Sequence, residues 1–136
     1  MLRIPNHIEP STDPLRILPD GVRQAVREKG ALREYSAGDL MMAPCDNGDL
    51  IRFLVSGEAS VMLRDGDEQA LTVESLQPGD IFGEISFLTG RPTPSNSELV
   101  ADEPCSVLEV PAGEFQNILE QNPQFTISLV RNLARK

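Results

Sequence analysis

Between Phe82 and Arg91 the chain reads Phe-Gly-Glu-Ile-Ser-Phe-Leu-Thr-Gly-Arg. These residue types at this spacing suit the binding of an anion beside a polyol. Gly83 lets a ligand approach the backbone closely, and Glu84 to Leu88 form one short helical turn closed by Gly90. The N–H groups that open such a turn, those of Ile85, Ser86 and Phe87, point outward with a partial positive charge and can hold a phosphate. The Glu84 carboxylate is an acceptor that suits a pair of sugar hydroxyls, and the Ser86 hydroxyl can add a bond to the phosphate. Arg91 is the nearest cation. Each also has a plainer reading: Glu84 as a favourable acid in a first helical turn, Ser86 bonded to a carbonyl of its own helix, Arg91 as a solvated loop residue.

The elements that must hold this stretch are legible from period and punctuation. Residues 1 to 13 carry two prolines and no period, and read as an arm whose Leu2, Ile4 and Ile8 could dock on the domain or on a partner. Asp13-Pro14 is a helix start that Pro19 soon interrupts, and Asp20 caps a second attempt from Gly21 to Lys29 with Val22, Ala25 and Val26 on one face, the whole counted as a helical stretch over 14–30. From 31 to 111 the period is that of strands: Ala31–Ser36, Leu40–Ala43, Leu50–Ser56, Ala59–Arg64, Ala70–Leu76, Ile81–Phe82, Leu99–Ala101 and Ser106–Val110. The punctuators include Gly38-Asp39, Ser56-Gly57 and Pro78-Gly79-Asp80. Eight short, evenly spaced strands predict a jelly-roll double-sheet barrel, mainly β with flanking helices. After Pro111 the period returns to 3.6, giving a helix over 112–121 with Phe115, Ile118 and Leu119 on one face. Asn122-Pro123 then opens a second helix in which Phe125, Leu129 and Leu133 form a stripe. That stripe is either core or a dimer face, and its uncapped end suggests a chain that continues or has been cut.

The segment Phe82-Gly83-Glu84-Ile85-Ser86-Phe87-Leu88 resembles the phosphate-binding cassette of the cyclic-nucleotide-binding domain family, the sensor module of catabolite-activator-type regulators, kinase regulatory subunits and gated channels. Phe53-Leu54-Val55-Ser56-Gly57-Glu58-Ala59 and the two Gly-Asp turns fit the same family, and the resemblance covers residues 15 to 136. It implies a barrel over 31–111 that binds cAMP or cGMP. Glu84 would bind the ribose 2′-hydroxyl, the amides after it the cyclic phosphate, and the purine would lie against the C-terminal helix, which shifts to signal to an effector. The family's phosphate-neutralising arginine falls where this chain has Thr93, and Arg91 sits two residues earlier in a longer loop. Two readings stay open. Either Arg91 reaches the phosphate from a remodelled loop, or the cassette keeps its shape without a cyclic nucleotide and serves as a dimerisation or docking module.

Other chemistry is poorly supplied. The net charge of −9 argues against nucleic-acid binding by this segment, because backbone phosphates need clustered Lys and Arg. The only histidine is His7, in the arm, so the barrel strands lack the ligands of a metal-dependent cupin and no serine or cysteine has a paired base. Cys45 and Cys105 lack metal or redox spacing and read as small apolar groups. Asp46, Asn47 and Asp49 around Gly48 lack the rest of a calcium loop and read as a hairpin turn, as does Asp65-Gly66-Asp67. No apolar run approaches the roughly 18 residues of a membrane span. The expectation is therefore a non-enzymatic, metal-free, cytoplasmic regulatory domain, with an effector and a homodimer through the C-terminal helix as its partners.

Overall fold

The computed structural model describes residues 13–43, 48–65, 69–92 and 97–135, and of residues 64, 65, 69, 70 and 132–135 the backbone only. His7 and the arm, Cys45, Asp46, Asn47, the Gly66-Asp67 turn and Thr93 lie outside the described residues.

The order is α1 (Asp20–Lys29), β1 (Ala31–Tyr35), β2 (Leu40–Met42), β3 (Leu50–Ser56), β4 (Ala59–Asp65), β5 (Gln69–Leu76), β6 (Ile81–Phe82), α2 (Glu84–Thr89), β7 (Ser97–Ala101), β8 (Cys105–Pro111), α3 (Ala112–Gln121) and α4 (Pro123–Arg135). The strands form two four-stranded antiparallel sheets, ordered β1-β8-β3-β6 and β2-β7-β4-β5, which is the jelly-roll order expected. They face one another as a sandwich and not as a continuously hydrogen-bonded barrel.

The expected helix over 14–30 is shorter. Pro19 cannot extend a helix backward through its missing N–H, so α1 begins at Asp20 and residues 14 to 17 make a separate turn. Asp13 still caps that turn: its carboxylate accepts the Leu15 N–H at 2.9 Å and binds Arg27 from α1 at 2.5 Å. Val22 and Val26 bury one face of α1, as the spacing predicts.

Two clusters make the core. Strands β3 and β8 are central, so both of their faces are buried: Ile51, Phe53, Leu108 and Val110 meet α1, α3 and α4, while Leu54, Cys105 and Val107 face the other sheet. Phe125 and Leu129 of α4 join the first cluster, which settles them as core of this chain; Leu133 lies outside the described side chains. Among its described side chains, the large apolar residues that α4 exposes are Ile127 and Val130. Burying a Phe or Leu in such a cluster stabilises by roughly 1.5–3 kcal/mol.

The two Gly-Asp turns are built alike. In the first, the Ser36 N–H donates to the Asp39 carboxylate at 2.7 Å and the Asp39 N–H to the Ser36 carbonyl at 3.0 Å. In the second, the Gln77 N–H donates to the Asp80 carboxylate at 2.8 Å and the Asp80 N–H to the Gln77 carbonyl at 2.9 Å. Each aspartate closes its turn twice, and the second turn delivers the chain into β6 and the cassette. At the opposite edge of the other sheet, β5 runs eight residues with Leu71 and Val73 exposed.

Candidate functional site

The cassette is held from below. Gly83 adopts φ 91°, ψ −8°, and a Cβ there would stand 2.8 Å from the Leu50 carbonyl oxygen, so both the turn and the packing require glycine. Gly48, at φ 81°, lies so close to α2 that a Cβ would meet the Phe87 nitrogen at 2.8 Å. The loop before β3 therefore braces the first turn of α2. At the far end Gly90, at φ 71°, returns its N–H to the Ser86 carbonyl at 3.0 Å. Thr89 bonds the Ile85 carbonyl at 2.8 Å and accepts the Arg91 N–H at 3.2 Å, which fixes where the chain leaves the helix.

The N–H of Phe87 is not available to a ligand, because it donates to the Gly83 carbonyl at 3.3 Å. This corrects the expectation of three donors. Ile85 and Ser86 remain, and no described residue accepts their N–H groups. Beside them lies a cavity of about 370 Å³. Phe82, Gly83, Glu84, Ile85, Ser86 and Arg91 all line it, so the structure brings these six candidate residues to one place. Glu84 is half-buried, Ser86 buried, and Arg91 exposed at the rim. Arg91 thus both borders the cavity and meets solvent.

Sequence reasoning missed the opposite wall. Met42, Val61 and Leu76 make it apolar, and Glu74 of β5, opposite Val61 in the register, places a second carboxylate there. The signal was available in the acid that interrupts the otherwise uncharged Leu71–Leu76 run. No residue of α3 or α4 lines the cavity among those described, so the expected purine contact with the C-terminal helix is absent here. What links the cavity to those helices is Phe87, whose ring meets Phe115 of α3 edge-on at 5.4 Å and 82°. Phe115 in turn packs on Phe53 at 6.2 Å.

A second missed group lies between the sheets. Arg52, in the middle of the apolar β3, sends Nε to the Glu109 carboxylate at 3.3 Å, and the Tyr35 hydroxyl donates to the same oxygen at 3.2 Å. Its guanidinium lies 6.0 Å from the centre of the Phe82 ring, under the start of the cassette. Burial first, and then the negative charge of Glu109, push the Tyr35 phenol above its ordinary value of 10.0. Cys105 is buried, and burial followed by Glu103 and Asp102 raises its thiol, consistent with a packed apolar group. Among the described residues no cluster of His, Cys, Asp and Glu could hold a metal ion, and no helix is long and apolar enough to cross a membrane.

Comparison with known proteins gives the family. The family model for the cyclic nucleotide-binding domain matches residues 32–122, and the chain belongs to that family. It is 32% identical over 110 residues to glutaminase 2 of Bradyrhizobium diazoefficiens, covering 81% of this chain and 16% of the relative. It is 23% identical over 105 residues to the cAMP-activated global transcriptional regulator CRP of Pasteurella multocida, covering 77% of this chain and 50% of the relative. Among solved structures, the catabolite activator protein of Thermus thermophilus superimposes with a TM-score of 0.74 at 25% identity, over 90% of this chain and 57% of that one. The chain thus spans about a sixth of the glutaminase and about half of the regulator.

Proposed function

We propose that this regulatory domain binds a cyclic nucleotide in the cavity beside α2 and passes the event to α3 and α4. The observation that carries the reading is that Glu84, Arg91, and Ile85 and Ser86, whose N–H groups no described residue accepts, all line one cavity. The amides and Arg91 take the cyclic phosphate, and Glu84 takes the ribose 2′-hydroxyl. A phosphate held at the first turn of α2 tightens that helix against Gly48 and shifts Phe87, and Phe87 moves against Phe115. Only a ligand that prefers one position of these elements can signal, so the relay depends on different affinities for two arrangements. The relatives' names point to two kinds of effector, a transcription regulator and an enzyme, and in either case this segment would be the sensor and not the catalyst. In a homodimer the Ile127 and Val130 face of α4 is the surface left to meet a partner.

The test is calorimetric titration with cAMP and cGMP of the wild type, Glu84→Ala and Arg91→Ala. We expect a dissociation constant at or below about 1 μM, about −8 kcal/mol, for one nucleotide and at least tenfold weakening in each variant. Absence of heat up to millimolar nucleotide would overturn the reading in favour of a docking module. Unchanged binding in Arg91→Ala would remove the arginine from the site.

A further inference from the structure

We infer that Glu74 makes this site select guanine over adenine; the inference rests on the cyclic-nucleotide reading above and assigns the base its own recognition group. A cyclic nucleotide has three parts to place, and the charged and amide groups of the cavity fall into three groupings, with the hydroxyl residues Thr89 and Ser97 also in its lining. The amides of Ile85 and Ser86, with Arg91, suit the phosphate, and Glu84 beside them suits the sugar. Glu74 is left, across the cavity on β5, where its negative charge opposes a phosphate. Around it Met42, Val61 and Leu76 supply apolar surface against which a purine can lie. The base wall is therefore made of β2, β4 and β5, and its one charged group is this carboxylate.

Glu74 makes no ion pair and no side-chain hydrogen bond with another described residue, and it is exposed. No described residue consumes its two oxygens. The register holds it in place, since its strand neighbour across the ladder is Val61, which lines the same cavity. A carboxylate accepts only, and its two oxygens match two parallel donors. Guanine offers such a pair in N1–H and the 2-amino group. Adenine offers one N–H on its 6-amino group beside the bare lone pair of N1, which a carboxylate repels. Hypoxanthine, with N1–H and no 2-amino group, lies between them. All three cyclic nucleotides carry the same phosphate, sugar and charge, so differences among them report the base alone.

The experiment titrates the whole chain with cyclic GMP, cyclic IMP and cyclic AMP, and repeats the series with Glu74→Gln. The expected order for the wild type is cyclic GMP, then cyclic IMP, then cyclic AMP, with about tenfold or more between first and last. A glutamine presents an acceptor beside a donor, which suits adenine and loses one bond to guanine, so Glu74→Gln should bring the ratio to about one or below. Tighter binding of cyclic AMP by the wild type overturns the proposal while leaving the cyclic-nucleotide site intact. So does an unchanged ratio in Glu74→Gln, including the case where both affinities rise together because a like charge has gone. If none of the three binds, the underlying reading fails and Glu74 falls with it. The wild-type order alone decides the matter should the variant not fold.

Discussion

Tyr35 is the chain's single tyrosine, and there is no tryptophan to obscure it. Its hydroxyl donates to Glu109, the carboxylate that also holds Arg52 under Phe82. Ultraviolet titration of the phenolate therefore reads this buried group directly. We expect a midpoint above 10.0, and a lower one in Glu109→Gln, where both the acceptor's charge and part of the reason for the rise are gone. The sign for stability follows: with the folded value raised, the stabilisation is fully present below pH 10 and is lost as pH rises through the folded midpoint. A midpoint at or below the ordinary value would mean that Tyr35 is not closed in between the sheets. The same residues show how little a sequence says about buried charge. Arg52 stands inside Leu50–Ser56, an apolar run in every other respect but its final serine, and nothing local says that its partner is 57 residues away.

At the scale of elements, α2 is only six residues long and could not stand alone, so its position is set by what it leans on. Gly48 braces it on one side and Phe115 on the other. Phe87→Ala should lower stability by about 2–4 kcal/mol in urea unfolding, somewhat under the roughly 3–5 kcal/mol for deleting a fully buried aromatic ring because Phe87 is only partly buried. Phe87→Leu keeps most of the volume and should lose less than about 1.5 kcal/mol, yet still weaken the link to α3. Equal losses in the two would show that the edge-on ring contact carries no special weight. The elements were largely legible beforehand because turn chemistry punctuates them. The Asp39 and Asp80 turns, the helix over 112–121 and all eight strands fall within two residues of their expected ends. What was not legible came from competition among signals: Asp13-Pro14 promised a helix that Pro19 cut to a turn, and the Phe125 and Leu129 stripe gave no hint of which side it faced. The cassette residues were legible because they are contiguous. Glu74 showed only as an acid in an uncharged run, and its place at the cavity was not legible, since the pairing of β4 with β5 is what carries it there.

For the molecule as a whole, the charge of −9 opposes the approach of any anionic ligand. Added salt screens that field over distances beyond a Debye length, about 30 Å at 10 mM and about 8 Å at 150 mM. Association of a fluorescent cyclic nucleotide, followed by stopped flow, should therefore quicken from the lower salt to the higher. A rate that falls with salt would mean that Arg91 at the rim outweighs the global field. The repulsion also acts between copies. The β5 strand ends its sheet with a row of backbone groups that no described strand pairs, and Leu71 and Val73 stand exposed along it. Such an edge is a template on which a second chain can continue the sheet. Mutual repulsion keeps two like edges apart at neutral pH, and it vanishes near the isoelectric point of about 4.5. The strand that walls the cavity beside α2 is thus also where this domain is most exposed to fibrous self-assembly, and acid is the condition that uncovers it.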